Sequence, residues 1–280
     1  MLIKNKNFEI GKKTYIIGIL NVTPDSFSDG GKFNDVERAL EHAKKMIEQG
    51  ADIIDIGGES TRKDFAEISE EEELSRIIPI IQKIIKETDI LISVDTRKPR
   101  VAEAVLKLGA SIINDFSGQI DDKMAKVCAK YGAVYIITRS YRNYSSENFI
   151  ENCIKTLKND IEIALKNGID RKNIIIDPGL GFFNGYEENF EVINNLEKFC
   201  QLGFPVLIGA SRKSFLGKLL GDASPLERES ANLAITTISA LKGCSFVRVH
   251  DVKKNKDALR AVEAVLKQRN LDLSASQYSS

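Results

Sequence analysis

The chain of 280 residues sets 40 lysines and arginines against 40 aspartates and glutamates, with 42% hydrophobic and 29% charged residues, a composition that supports a large core and excludes a disordered or collagen-like chain. That balance leaves no overall field to draw the chain onto nucleic acid or an anionic membrane, so any anion it binds is held by local groups. Cys128, Cys153, Cys200 and Cys244 are widely spaced without a C-x-x-C pair, which argues against a zinc or disulfide framework. The opening MLIKNKNFEIGKKTY lacks the apolar core of a signal peptide, and no run reaches the ~20 apolar residues that span a bilayer, so a soluble cytoplasmic protein is expected.

After a lead-in over residues 1–14, a first strand is expected over 16–20, ending in Asn21 and a loop of oxygen donors through Asp25 and Asp29 to Gly30-Gly31. A helix over 36–47 and Gly50 lead to a second strand, 52–56, which runs into Gly57-Gly58-Glu59-Ser60-Thr61-Arg62. Ser69 and Glu72 have the spacing of a capping box, and the acidic run Glu70 to Glu73 suits the positive end of a helix dipole, so a helix starts there and covers 74–85. The third strand, 91–94, ends at Asp95. A helix over 101–108 precedes the fourth strand, 111–113, which ends at Asn114 and Asp115. The fifth strand covers 133–137 and is followed by a helix over 150–165; the sixth covers 173–176 and ends at Asp177. The seventh, 205–208, runs into Ser211-Arg212-Lys213-Ser214. A helix over 233–241 then precedes the eighth, 245–249, which carries Arg248 and leads to His250.

Gly50, Gly109, Gly132, Gly168 and Gly203 each stand between a helical stretch and a strand, where a left-handed residue is wanted. Strands apolar on both faces that alternate with helices imply a parallel sheet. Eight such units favour an α/β fold of the (β/α)8 TIM-barrel type, with a doubly wound open sheet as the alternative. No linker divides the chain, so a single domain over 1–280 is expected, with a polar tail from about residue 271.

The polar residues cluster after the strands and not before them. Asp and Asn there are often helix caps or turn formers when taken singly. Seven of eight strands delivering an ionisable or amide group to one rim is better explained by a site, since barrel chemistry sits at that end. Arg248 and His250 lie two apart on a strand and face the same way, beside Ser211-Arg212-Lys213-Ser214, in the place where barrels often hold phosphate. The loop from Asn21 to Gly31 is rich in oxygen donors; an ordinary βα turn explains it, but magnesium takes one or two protein oxygens with phosphate oxygens, which an Asn or Asp at a strand end supplies. No H-E-x-x-H, G-x-S-x-G, Walker loop or G-x-G-x-x-G occurs. The residues by themselves thus describe a barrel that binds an anionic, phosphorylated ligand and presents carboxylates to a polar heterocycle.

The segments Gly18-Ile19-Leu20-Asn21-Val22-Thr23-Pro24-Asp25-Ser26-Phe27-Ser28-Asp29-Gly30-Gly31 and Asp55-Ile56-Gly57-Gly58-Glu59-Ser60-Thr61-Arg62 closely resemble the two signatures of the dihydropteroate synthase family. Ser93-Val94-Asp95-Thr96, Ile113-Asn114-Asp115, Asp177-Pro178-Gly179-Leu180-Gly181-Phe182, Ser211-Arg212-Lys213-Ser214 and Arg248-Val249-His250-Asp251 follow in the family's order, from about residue 16 to 266. The resemblance implies a barrel that joins 6-hydroxymethyl-7,8-dihydropterin diphosphate to p-aminobenzoate with magnesium. It further implies that Asp95, Asn114, Asp177 and Lys213 line the pterin slot. Asn21, Thr61, Arg248 and His250 would hold the diphosphate, with Asn21 on the metal. Arg62, Phe182 and Ser214 would form the aminobenzoate side, and Asp25 and Asp29 would ride on a closing loop. Asp95, Asp177, Lys213, Arg248 and His250 are the expected catalytic set, and a homodimer is the expected assembly.

The chain departs from the family pattern at Lys63-Asp64, at the end of the fifth strand (Thr138-Arg139-Ser140-Tyr141-Arg142) and at Phe183-Asn184. These positions flank the second substrate, so an altered acceptor pocket and weak binding of sulfonamides, which mimic aminobenzoate, are expected; neutral drift is the competing explanation. Two rival readings are a pterin-binding methyltransferase, which would not need the Ser211 to Ser214 and Arg248 to His250 groups, and a noncatalytic pterin-binding paralogue.

Overall fold

The computed structural model describes residues 1–22, 31–59, 67–140, 148–183 and 185–277, with side chains at 31–34 and beyond 268 left undescribed. Among the described residues, two short antiparallel strands, β1 (Leu2–Ile3) and β2 (Lys6–Asn7), precede eight parallel ones. These are β3 (Tyr15–Asn21), β4 (Ile53–Gly57), β5 (Leu91–Asp95), β6 (Ile112–Gly118), β7 (Val134–Arg139), β8 (Ile174–Asp177), β9 (Leu207–Ile208) and β10 (Phe246–Val249). Their spatial order is β8-β7-β6-β5-β4-β3-β10-β9, and a parallel bridge between Ile176 and Val206 joins the two ends. That bridge makes the sheet a barrel and rules out the open doubly wound alternative. β9 is short because Pro205, just before it, has no N–H to give to a ladder, although its carbonyl accepts from Ile176 N at 3.0 Å.

Among the described residues, ten α-helices surround the barrel: α1 (Gly31–Glu48), α2 (Glu70–Glu87), α3 (Pro99–Leu108), α4 (Asp122–Tyr131), α5 (Phe149–Lys166), α6 (Glu187–Asn194), α7 (Leu196–Cys200), α8 (Ser214–Leu219), α9 (Glu229–Leu241) and α10 (Val252–Gln277). The five glycines expected between helix and strand all have positive φ. Two of them, Gly109 and Gly132, cap α3 and α4 by returning their N–H groups to the last turn. Of the expected capping box at α2, one half is present: Ser69 accepts from Glu72 N at 3.1 Å, whereas the Glu72 carboxylate pairs with Arg76 at 2.5 Å. α10 continues to Gln277, so most of the expected polar tail is helix; residues 252–277 contain neither glycine nor proline to stop it.

Because successive strand residues face opposite sides, each strand feeds two cores. Ile16, Leu20, Ile54, Ile56, Ile92, Val94 and Ile113 pack outward against helix residues such as Ile77, Ile81, Ile84 and Val105. Tyr15, Ile17, Ile53, Leu91, Ile112, Val134, Ile136, Ile175, Leu207 and Phe246 fill the barrel. Residues 1–14 do more than lead in. The β1–β2 hairpin closes the amino-terminal mouth with Ile3 and Phe8, and the Phe8 ring sits edge-on to Tyr15 at 4.7 Å and 5.7 Å from Phe246. Further along the same inward-facing positions the character changes to Asp55, Ser93, Asp95, Asn114, Asp177 and Arg248. Asp55 pairs across with Ser93, Asp95 with Asn114, and Asp177 with Thr138.

Phe8 is 3% exposed, and truncating a buried aromatic leaves a cavity. Phe8→Ala is therefore expected to lose about 3–5 kcal/mol of unfolding free energy in urea, and Phe8→Leu about 1 kcal/mol. An unchanged midpoint for Phe8→Ala would show that the hairpin does not seal the barrel.

Candidate functional site

Arg248 organises the carboxyl-terminal mouth. It points inward from β10, where its Nε donates to Asp55 Oδ2 at 2.6 Å and its Nη2 to Asp95 Oδ2 at 2.5 Å. Asn114 Nδ2 donates to the same Asp55 oxygen at 3.1 Å. The second oxygens, Asp55 Oδ1 and Asp95 Oδ1, are buried and have no hydrogen-bond partner among the described residues. A buried carboxylate without full compensation holds its proton more tightly. Burial accordingly pushes Asp95 up to about 7 against the pull of Arg248, and the nearby Asp55 charge adds to the rise. Burial acts on Arg248 in the opposite sense, yet the two aspartates outweigh it and raise its proton affinity further.

The opposite wall comes from β8 and the segment after β9. Asp177 Oδ1 accepts from Gly179 N at 2.7 Å. Burial raises its carboxyl above the ordinary range, opposed by Lys213, the Gly179 N–H and Arg248. Lys213 loses hydration in the same place, which lowers its ammonium to about 8 although Asp177 and Asp95 pull the other way. Its Nζ donates to Leu180 O and stands 4.4 Å from the centroid of the Phe182 ring. The stem of Lys213 packs on Gly181, where a Cβ would fall 2.6 Å from Lys213 Cδ and φ is +83°. Only glycine fits there.

At the rim, His250 Nδ1 lies 2.9 Å from Ser211 Oγ and its Nε2 3.5 Å from Asn21 Nδ2. An Asn21 amide that donates to Nε2 requires the ring proton on Nδ1, which Ser211 then accepts. Ser211 Oγ also accepts from His250 N at 3.3 Å, so one hydroxyl holds both ends of the residue. Ser214, exposed, begins α8 directly after Lys213.

The fold thus gathers Asn21, Asp95, Asn114, Asp177, Phe182, Lys213, Arg248 and His250, with Ser214 alongside. Asp25, Asp29, Thr61 and Arg62 lie outside the described residues, as do Lys63, Asp64 and Asn184. Reading from the sequence passed over Asp55, although a charged residue inside the apolar run Ile53-Ile54-Asp55-Ile56 was a usable signal. It also passed over a second ion cluster next to the first. There Lys98 Nζ donates to Glu59 at 3.1 Å and to the fully buried Glu73 at 2.7 Å, while Glu59 accepts from Ile68 N at 3.2 Å.

The chain is also similar to known proteins along most of its length. Residues 17–250 match the family described as pterin binding enzyme. Over 269 residues the chain is 48% identical to a dihydropteroate synthase of Clostridium beijerinckii, covering 95% of this chain and 100% of that one. The crystal structure of a Clostridium difficile dihydropteroate synthase in the presence of pteroic acid superposes with a TM-score of 0.89 at 45% identity, covering 92% of this chain and 99% of the other. A Xanthomonas albilineans dihydropteroate synthase with 4-aminobenzoic acid gives 0.86 at 36% identity, covering 91% and 94%.

Lys213 has a measurable signature. In protein whose lysines are reductively methylated with 13C, one resonance is expected to titrate near 8, where the burial of Lys213 places it, and to vanish in Lys213→Met. Exposed lysines should titrate near ~10.4. If every lysine titrates in the ordinary range, Lys213 is solvated and the wall described above is open.

Proposed function

This chain belongs to the pterin binding enzyme family, and on that footing we propose that it acts as a dihydropteroate synthase: 6-hydroxymethyl-7,8-dihydropterin diphosphate and p-aminobenzoate give 7,8-dihydropteroate and diphosphate. The observation that carries the reading is the set of buried Asp55, Asp95, Asn114 and Asp177 with half-buried Lys213 and Arg248, placed on five strands and one following segment above an otherwise apolar barrel.

A pterin edge presents amino and imino N–H groups. Asp95 Oδ1, buried and lacking a partner among the described residues, is an acceptor facing that chemistry, with Asp177 and the Asn114 amide completing the slot. Lys213 supplies a donor to the ring from the opposite wall. When the diphosphate leaves the pterin methylene, negative charge grows on the leaving oxygen and positive charge on the carbon. His250 and Arg248, with Thr61, serve the first; the Asp177 carboxylate stabilises the second. The aniline nitrogen of p-aminobenzoate then attacks the methylene carbon and gives up a proton, and no covalent bond to the protein is formed. Since that nitrogen is already nucleophilic, positioning is the main demand on the acceptor side, a role assigned to Phe182 and Ser214 and, by the family resemblance, to Arg62.

Magnesium fits the rim through Asn21 at the end of β3, which carries a hard amide oxygen while its Nδ2 faces His250 Nε2, and the described residues contain no group of three or more His, Cys, Asp or Glu that could hold a metal ion by themselves. Such a site suits an ion that keeps its waters and takes phosphate oxygens, and the bound ion would neutralise charge on the leaving diphosphate. We further place the protein in the cytoplasm as a homodimer. Among the described residues no helix is long and apolar enough to cross a membrane, and the exposed Leu219, Leu220 and Leu226 offer an apolar face.

Purified protein supplied with the pterin diphosphate, magnesium and labelled p-aminobenzoate should form labelled dihydropteroate and diphosphate in equal amounts, and Asp177→Asn should lower the rate by about 100-fold or more. Diphosphate release without dihydropteroate would replace the acceptor, and pterin binding without either product would point to a noncatalytic paralogue.

Pterin binding should also depend on pH. The ligand's N–H donors need ionised Asp95, which in the free protein takes up a proton below about 7. Affinity should fall as the pH drops below that value, approaching about tenfold per pH unit. Calorimetric titration between pH 5 and 9 reads this directly, and a flat profile would remove Asp95 from the contact.

A further inference from the structure

Two of the places where this sequence departs from the family pattern meet at one structural unit, the turn from Gly179 to Phe183. Gly179 takes φ +79° and comes so close to β7 that a Cβ would fall 1.9 Å from Arg139 O. Its carbonyl accepts from Phe182 N at 3.0 Å, and Gly181 N donates to the buried Asn189 Oδ1 at 2.6 Å. Two further ties come from the departing residues. Ser140, at the end of β7, donates from Oγ to Phe182 O at 3.2 Å. Phe183, 7% exposed, packs edge-on against Phe149 at the start of α5, with ring centroids 5.5 Å apart. Between these anchors the Phe182 ring lies against Lys213 Nζ, and Leu180 O accepts from that same ammonium.

We propose that Ser140 and Phe183 are positioning residues that hold the Gly179 to Phe183 turn so that Phe182 stays against Lys213, and that they thereby set the affinity for the aryl-amine substrate. The chemistry follows from the geometry. A flat aromatic amine needs an apolar face at a fixed place beside the methylene it attacks, and Phe182 offers that face only while its backbone is fixed. Ser140 holds the carbonyl of Phe182 itself. Phe183 anchors the next residue in the core through an aromatic contact that a small residue could not make. The affinity part rests on the synthase reading above; the positioning part does not.

Ser140→Ala and Phe183→Gly test both parts, with Phe183→Leu as a better-tolerated companion and urea unfolding to show that each variant is folded. The KM for p-aminobenzoate is expected to rise about five- to tenfold in Ser140→Ala and Phe183→Gly. kcat and the calorimetric Kd for the pterin diphosphate should stay within about twofold, because the strand-borne Asp95, Asn114 and Asp177 of the slot keep their places. Independently of any turnover, the Lys213 resonance should move away from about 8 in the free variants, since Phe182 and Leu180 no longer face it as before. An unmoved Lys213 titration in folded variants would overturn the positioning claim, whether or not the wild type makes dihydropteroate. A moved titration with unchanged aminobenzoate KM, or with pterin Kd rising in step, would overturn the claim that the turn sets acceptor affinity.

Discussion

The mouth of this barrel depends on an uneven count of buried charges. Three carboxylates, Asp55, Asp95 and Asp177, face two cations, Arg248 and Lys213, in a place that excludes most water. Ion pairs satisfy part of the set: Arg248 binds two carboxylates and Lys213 lies near the third. One negative charge remains uncompensated, and its cost appears as the raised proton affinity of Asp95. A cluster short of one positive charge is suited to a ligand that brings N–H donors and, in the proposed reaction, develops positive character at its methylene. The electrostatic tension of the free protein and its proposed affinity for the transition state are then the same property.

Such a cluster is costly, and the fold bears it by separating two tasks along the strands. Inward positions at the amino-terminal end are filled with Tyr15, Ile17, Ile53, Leu91, Ile112 and Phe246, and the hairpin adds Ile3 and Phe8 to seal them. This lower layer carries burial energy without polar demands. The upper layer has little apolar contact of its own and is held by strand register, which sets Asp95 opposite Asn114 and Asp177 opposite Thr138. Groups fixed to strands by register need little reorganisation when a ligand arrives, which is the condition for electrostatic catalysis.

Much of this was legible in the sequence, and the reasons differ element by element. The eight strands show because runs such as Ile53 to Ile56 are apolar on both faces, and the rim residues show because they end those runs. Asp55 escaped notice because it lies within a run and not after it, so that its burial reads as an interruption of the strand. The hairpin plug was missed because strands of two residues leave no periodicity to detect, though Ile3 and Phe8 were there as apolar marks. Barrel closure through Ile176 and Val206 depends on curvature summed over all the strands, which no local pattern contains.

The pterin and acceptor halves of the site also differ in how they are built. In the proposed site the pterin-side groups stand mostly on strands, whereas the acceptor side depends on connections: the turn after β8, the end of β7 and the start of α8. Loops are free to vary so long as the scaffold holds their ends, so departures from a family pattern gather there first. Tolerance has a limit where a loop residue touches a group proposed to act in the reaction. Phe182 meets Lys213, and Lys213 meets Asp177 electrostatically, so a change in Ser140 or Phe183 passes through two contacts before it reaches the reacting carbon. Variation on the proposed acceptor side is therefore coupled to the strand-borne half through Lys213.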